Sequence, residues 1–189
     1  MATPLLPDLT IQPLPYHDRL RQRAARTLDL VVIHCTELPD LATARRYGER
    51  VLYDDGTGNS GHFYIDRDGH VLQYVAPERV AHHVRGRNDR SIGIELVNTG
   101  RYPDWFDSRR QAMQEPYPDA QLAALVRLLR ALCARYPTLH SIAGHDQLDL
   151  EQVPASDDPA RCVARKQDPG PLFPWPGVLA AIALQPLPS

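Results

Sequence analysis

Residues 28–34 read LDLVVIH, a short apolar run rich in β-branched side chains that ends in a histidine. Its length and composition read as a strand buried on both faces, at the centre of a sheet covered by helices. A second run, SIGIELV at 91–97, alternates Ile92, Ile94 and Leu96 with Gly93 and Glu95. As a strand it would put Glu95 on the face opposite the three apolar side chains. A third, LHSIAGH at 139–145, again ends in histidine, and HFYIDRDGHVLQYV at 62–75 has the form of a hairpin with Asp68-Gly69 at its turn.

Helical patterns separate these strands. Asp40 stands as N-cap before a short helix in LATARRYG. DAQLAALVRLLRALCARYP carries the clearest helical period: Leu122, Leu125, Val126, Leu129, Leu132 and Cys133 share a face, Asp119 is the candidate cap and Pro137 the stop. PGVLAAIAL reads as a closing short helix. The prediction is an α/β fold, a single domain with a mixed central β-sheet flanked by helices. Residues 1–27, proline-rich then basic, read as an arm lying on the domain; 28–182 form the domain and 183–189 a tail. Segments 98–118 and 146–165 read as long loops.

The chain has 189 residues, of which 43% are hydrophobic and 23% charged, enough to bury a core without staples. With 21 Lys+Arg against 23 Asp+Glu, no global field favours nucleic acid or an anionic membrane. No stretch is apolar and long enough for a membrane span. Cys35, Cys133 and Cys162 are odd in number and widely spaced, which argues against a disulfide framework and for a cytoplasmic protein.

The chemistry-bearing residues collect at strand ends and in one proline-rich segment, ARKQDPGPLFPWP at 164–176, which places Lys166 and Asp168 one residue apart. Proline there forbids helix interior and central strand, and Pro169 biases Asp168 toward extended backbone. Singly, His34 and His145 read as satisfied core or rim histidines, and Lys166 as a solvated lysine paired to the nearby SDD. Together with Asp168 the two histidines form a set that suits zinc, with a fourth position for water. No short ligand motif settles this, because the three lie far apart at 34, 145 and 168. Glu95 is the candidate acid/base and Lys166 the candidate oxyanion partner. His62 reads as a structural hydrogen-bonding group, whereas His83 and Asn88, in AHHVRGRND, read as substrate contacts. Cys35, adjacent to His34 on a strand, should face away from it.

VVIHCTELP, SGHFYIDRDGHVLQYV, AHHVRGRNDRSIGIELVNTG, IAGHDQL and RKQDPGP follow one another in an order that resembles zinc-dependent N-acetylmuramoyl-L-alanine amidases of the AmpD type. The resemblance covers roughly 29–175 and implies the fold shared by phage lysozyme-type amidases and peptidoglycan-recognition proteins. It implies His34, His145 and Asp168 as zinc ligands, Glu95 and Lys166 as catalytic residues, and peptidoglycan fragments (muropeptides) as substrate, with the choice between the 1,6-anhydro and the reducing-end sugar left open. The phage branch has a tyrosine where this chain has Gly61. The interval 146–165 is longer than the family's usual connection, and His82 stands where tryptophan is common. Two other readings share these residues: a muropeptide sensor that does not cut, and a zinc amidase for another N-acyl amino acid. The oligomeric state is left open.

Overall fold

A computed structural model describes residue 6 and residues 8–187. In chain order the elements are β1 (Thr10–Ile11), β2 (Leu30–Cys35), α1 (Leu41–Gly48), β3 (Phe63–Ile65), β4 (Val71–Gln73), β5 (Ser91–Leu96), α2 (Asp119–Arg135), β6 (Ser141–Gly144), α3 (His145–Leu148), β7 (Gln152–Pro154), β8 (Cys162–Ala164), α4 (Trp175–Ala180) and β9 (Gln185–Pro186). Seven strands form one mixed sheet in the order β1-β4-β3-β5-β2-β6-β9, in which the β3–β4 hairpin is the antiparallel pair. β7 and β8 make a separate antiparallel ribbon.

The central strand β2 is buried along its whole length, as its β-branched composition requires. Its alternate residues divide the molecule. Val31, Ile33 and Cys35 join Ile92, Ile94, Leu96 and the leucines of α2 in the main core, while Leu30 and Val32 face the other side with Val84 and Ala143. Each buried leucine of α2 contributes about 1.5–3 kcal/mol of apolar burial. The face of the sheet turned away from α2 is therefore the one that His34 and Glu95 share.

Several expectations are corrected. The 1–27 segment does more than lie on the domain: Thr10 and Ile11 pair with β4, and Leu14, Tyr16 and Leu20 are buried in a second apolar cluster. The tail expected at 183–189 instead contributes β9, which pairs with β6, and the last helix is shorter than PGVLAAIAL suggests. Asp119 opens α2 as its first residue rather than capping it; Pro118 is at the cap. The buried stripe of α2 runs through Leu128 and Gln121 rather than Val126. Gln121 is buried because its side-chain amide donates to the carbonyls of Ile65 and Val97 at the ends of β3 and β5, at 2.9 and 3.0 Å. The polar stretch 146–165 is not a featureless loop, since it holds α3, β7 and β8.

Candidate active site

Parallel pairing lines up one row of side chains across the sheet. His34 on β2 is the register partner of Glu95 on β5, and Glu95 in turn pairs with Tyr64 on β3. On the other flank Ile33 pairs with Gly144, so His145 emerges one residue later, where β6 gives way to α3. These are carboxyl ends of parallel strands, where open α/β sheets place their ligands. Asp168 is brought in from the segment after β8. Its carbonyl accepts from the Asp146 amide at 2.9 Å, and the next carbonyl, that of Pro169, accepts from Tyr117 Oη at 2.7 Å.

The three side chains meet as a triangle. Asp168 Oδ2 lies 2.9 Å from His34 Nδ1 and 3.0 Å from His145 Nδ1, and the two ring nitrogens are 3.0 Å apart. All three residues are at most 3% exposed. Hydrogen bonds alone cannot satisfy this arrangement. If both nitrogens donate to the carboxylate, two N–H groups confront each other; if one accepts, its lone pair faces the anion. A cation shared by three lone pairs removes both conflicts, and Asp168 Oδ1, buried with no hydrogen-bond partner among the described residues, adds a further unsatisfied acceptor. Two imidazoles and one carboxylate fit a hydrolytic zinc ion.

Electrostatics follow from burial. Desolvation and the neighbouring His145 push His34 down to about 4. Burial alone would raise Asp168, but its contacts with His145 and His34 outweigh that and hold it well below the usual carboxylate range. Burial and the charge of Asp168 push Glu95 well above its ordinary value, opposed by Lys166. Glu95 also depends on Gly61: a Cβ there would stand 2.8 Å from Glu95 Cγ, so a larger residue at 61 and the present glutamate conformation exclude each other.

Lys166 lines the same cleft, a cavity of about 710 Å³, and is partly exposed. It has no ion pair among the described residues, so the expected pairing with SDD is absent. Its segment is fixed by a pair that sequence reasoning missed. Arg101 and Glu37, 3% and 5% exposed, form a two-pronged ion pair at 2.7 and 2.9 Å. A third Arg101 nitrogen donates to the Ala164 carbonyl at 2.8 Å, two residues before Lys166. Glu37 has a left-handed φ of 47°, a strained backbone for a non-glycine residue. Nothing in a lone Glu or Arg announces such a pair. One composition signal for Lys166 was available: of the 21 basic residues, all but Lys166 are arginines.

The remaining candidates separate. His83 lies behind His34, with Nδ1 3.0 Å from His34 Nε2. Asn88 Oδ1 accepts from the backbone amides of His83 and Val84 at 3.0 and 2.8 Å, so its side chain serves the loop. Both border the cleft. His62 is fully buried and accepts the Gly93 amide at 3.0 Å, in line with a structural part. Cys35 lies in the α2-side core, and the three cysteines are unpaired. The outer walls come from 98–118, with Trp105 and Phe106, and from the β7–β8 ribbon, with Val153 and Pro154.

Comparison with known proteins places this geometry in context. A family model described as N-acetylmuramoyl-L-alanine amidase matches residues 24–171. The 1,6-anhydro-N-acetylmuramyl-L-alanine amidase AmpD of Salmonella typhimurium is 34% identical over 134 residues, 66% of this chain and 58% of that protein. The chain thus spans under two thirds of that relative's length. The complex of AmiD from Escherichia coli with the substrate anhydro-N-acetylmuramic acid-L-Ala-D-γ-Glu-L-Lys aligns at TM-score 0.62 and 25% identity, over 85% of this chain and 60% of that one. Bumblebee PGRP-SA, at 16% identity, shares the fold, with TM-score 0.65 over 97% and 100% of the two chains.

Proposed function

Because this chain belongs to the N-acetylmuramoyl-L-alanine amidase family, we propose that it hydrolyses the amide between the lactyl group of N-acetylmuramic acid and L-alanine in peptidoglycan fragments. The observation that carries this is the meeting of His34, His145 and Asp168 at one point, beside Glu95 in the same row of the sheet. Muropeptides, the 1,6-anhydro form among them, are the substrate class, a reading supported by the names of the relatives. A cytoplasmic setting is supported by three unpaired cysteines, and no helix among the described residues is long and apolar enough to cross a membrane.

His34, His145 and Asp168 would hold zinc, which when bound lowers the pKa of water and polarises a carbonyl. Glu95 takes the proton from the attacking water; its raised pKa makes it a stronger base and a ready donor afterwards. The same carboxyl then delivers that proton to the L-alanine nitrogen as the C–N bond breaks, giving a lactyl carboxylic acid and a free stem peptide. Lys166 sets its ammonium against the negative charge developing on the carbonyl oxygen. The row of Tyr64, Glu95 and His34 on one rigid sheet keeps base and ligand in fixed register.

The test is mass spectrometry of products after zinc-loaded protein meets a defined mixture of anhydro and reducing-end muropeptides, with a chelated control. Free stem peptide formed only with zinc is the expected result. Binding without release would replace the amidase by a sensor.

A further inference from the structure

Behind His34 a row of polar side chains runs away from the cleft and ends on a backbone carbonyl. His34 Nε2 lies 3.0 Å from His83 Nδ1, His83 Nε2 lies 3.2 Å from Ser91 Oγ, and Ser91 Oγ lies 2.8 Å from the Arg87 carbonyl oxygen. The direction of the hydrogens follows from the last link. A carbonyl only accepts, so the Ser91 hydroxyl donates to it and offers a lone pair to His83. His83 Nε2 then carries a hydrogen, and in a neutral imidazole Nδ1 is left as acceptor. His34 must donate from Nε2, which puts its lone pair on Nδ1, the nitrogen facing His145 and Asp168. The reverse order would turn the Ser91 hydroxyl toward His83 and leave two oxygen lone pairs opposed across 2.8 Å.

The backbone is shaped around this row. A Cβ at Gly93 would stand 2.6 Å from two atoms of the His83 ring, so β5 leaves that volume open for it. The two imidazoles meet edge to face, with centroids 5.2 Å apart and planes at 86°. Asn88 Oδ1 holds the His83 amide from the other side. The second histidine of the triangle is treated differently: His145 Nε2 is buried with no partner among the described residues.

We propose that His83, anchored through Ser91 to the Arg87 carbonyl, is a positioning residue that fixes His34 as the Nε2–H tautomer and so presents Nδ1 as a ready metal donor. This assignment rests on the reading of His34, His145 and Asp168 as metal ligands. It replaces the substrate-contact role that the sequence suggested for His83. Partners of this kind, acting on the far nitrogen of a ligand histidine, typically change metal affinity by about 10–100-fold.

The experiment combines two readouts on the full chain. Long-range proton–nitrogen NMR of the metal-free protein should find His34 and His83 both as Nε2–H tautomers. Competition titration with zinc should show an affinity loss of about 10–100-fold in His83→Ala. His83→Gln should recover part of it, because its amide accepts and donates in the same order. Ser91→Ala keeps the ring and removes only the anchor; it should give mixed tautomers at His83 and a smaller loss of affinity. His34 found as the Nδ1–H tautomer in the metal-free wild type would overturn the proposal, as would unchanged zinc affinity in both His83→Ala and Ser91→Ala. If the wild type takes up no zinc, the metal reading fails, and the tautomer measurement alone decides whether His83 positions His34.

Discussion

The floor and the walls of the cleft are built by different means. The floor is the row His34, Glu95 and Tyr64, with His145 at its flank, fixed by strand register on a sheet whose opposite face packs the main core. The walls are irregular segments, 98–118 and the β7–β8 ribbon, tied down by side chains such as the Arg101–Glu37 pair and carrying partly exposed aromatics. Floor and walls thus divide the labour. On the proposed reading, reaction chemistry would fall on the hydrogen-bonded sheet row and discrimination among substrates on the irregular walls.

Substitutions can break this division, and the largest effect should come from the floor. Asp168→Ala should lose bound zinc and reduce turnover to background, measured by elemental analysis beside the muropeptide assay, because it removes one of three ligands and leaves two neutral donors. Retained zinc would show that the triangle is not the metal site. Glu95→Gln should lower turnover by about 10²–10⁴ with zinc still bound, as for loss of a general base. Lys166→Ala should cost about 10²–10³ in kcat, again with zinc in place. If Lys166→Ala instead released the metal, its place would be in the floor.

Changes in the walls should register in stability and in KM. Arg101→Ala strands a buried carboxylate at Glu37 and should destabilise the fold by about 3–5 kcal/mol in urea titration. A wild-type urea midpoint in Arg101→Ala would mean the pair is dispensable. The smallest effect is expected at Phe106, 39% exposed on the wall. Phe106→Ala should raise KM about 3–10-fold, equivalent to the roughly 0.5–1.5 kcal/mol of one aromatic contact, without lowering kcat.

Legibility in the sequence followed the same line. LDLVVIH was legible from its length and β-branched composition, and SIGIELV from its alternation, which also gave the side on which Glu95 emerges. His145 and Asp168 could be paired with His34 on chemical grounds, although only the sheet brings positions 34 and 145 together. Segments whose structure depends on distant partners were not readable. Thr10 and Ile11 become a strand only because β4 offers an edge, and Gln185 and Pro186 only because β6 does. Gln121 is buried because two carbonyls at strand ends need a donor. Local sequence could not reveal that Gly93, on another element, clears the space that the His83 ring occupies behind His34.

The solitary lysine has a practical consequence. Amine-directed reagents react with the free-amine form of lysine and leave guanidinium groups intact, so in this sequence they find one ε-amine, at the cleft. A label localised by peptide mapping to the segment that holds Lys166, apart from any on the α-amine, therefore reports the state of that one position. A bound ligand that shields Lys166 would slow the labelling, giving an occupancy footprint for any candidate muropeptide even when no bond is cut.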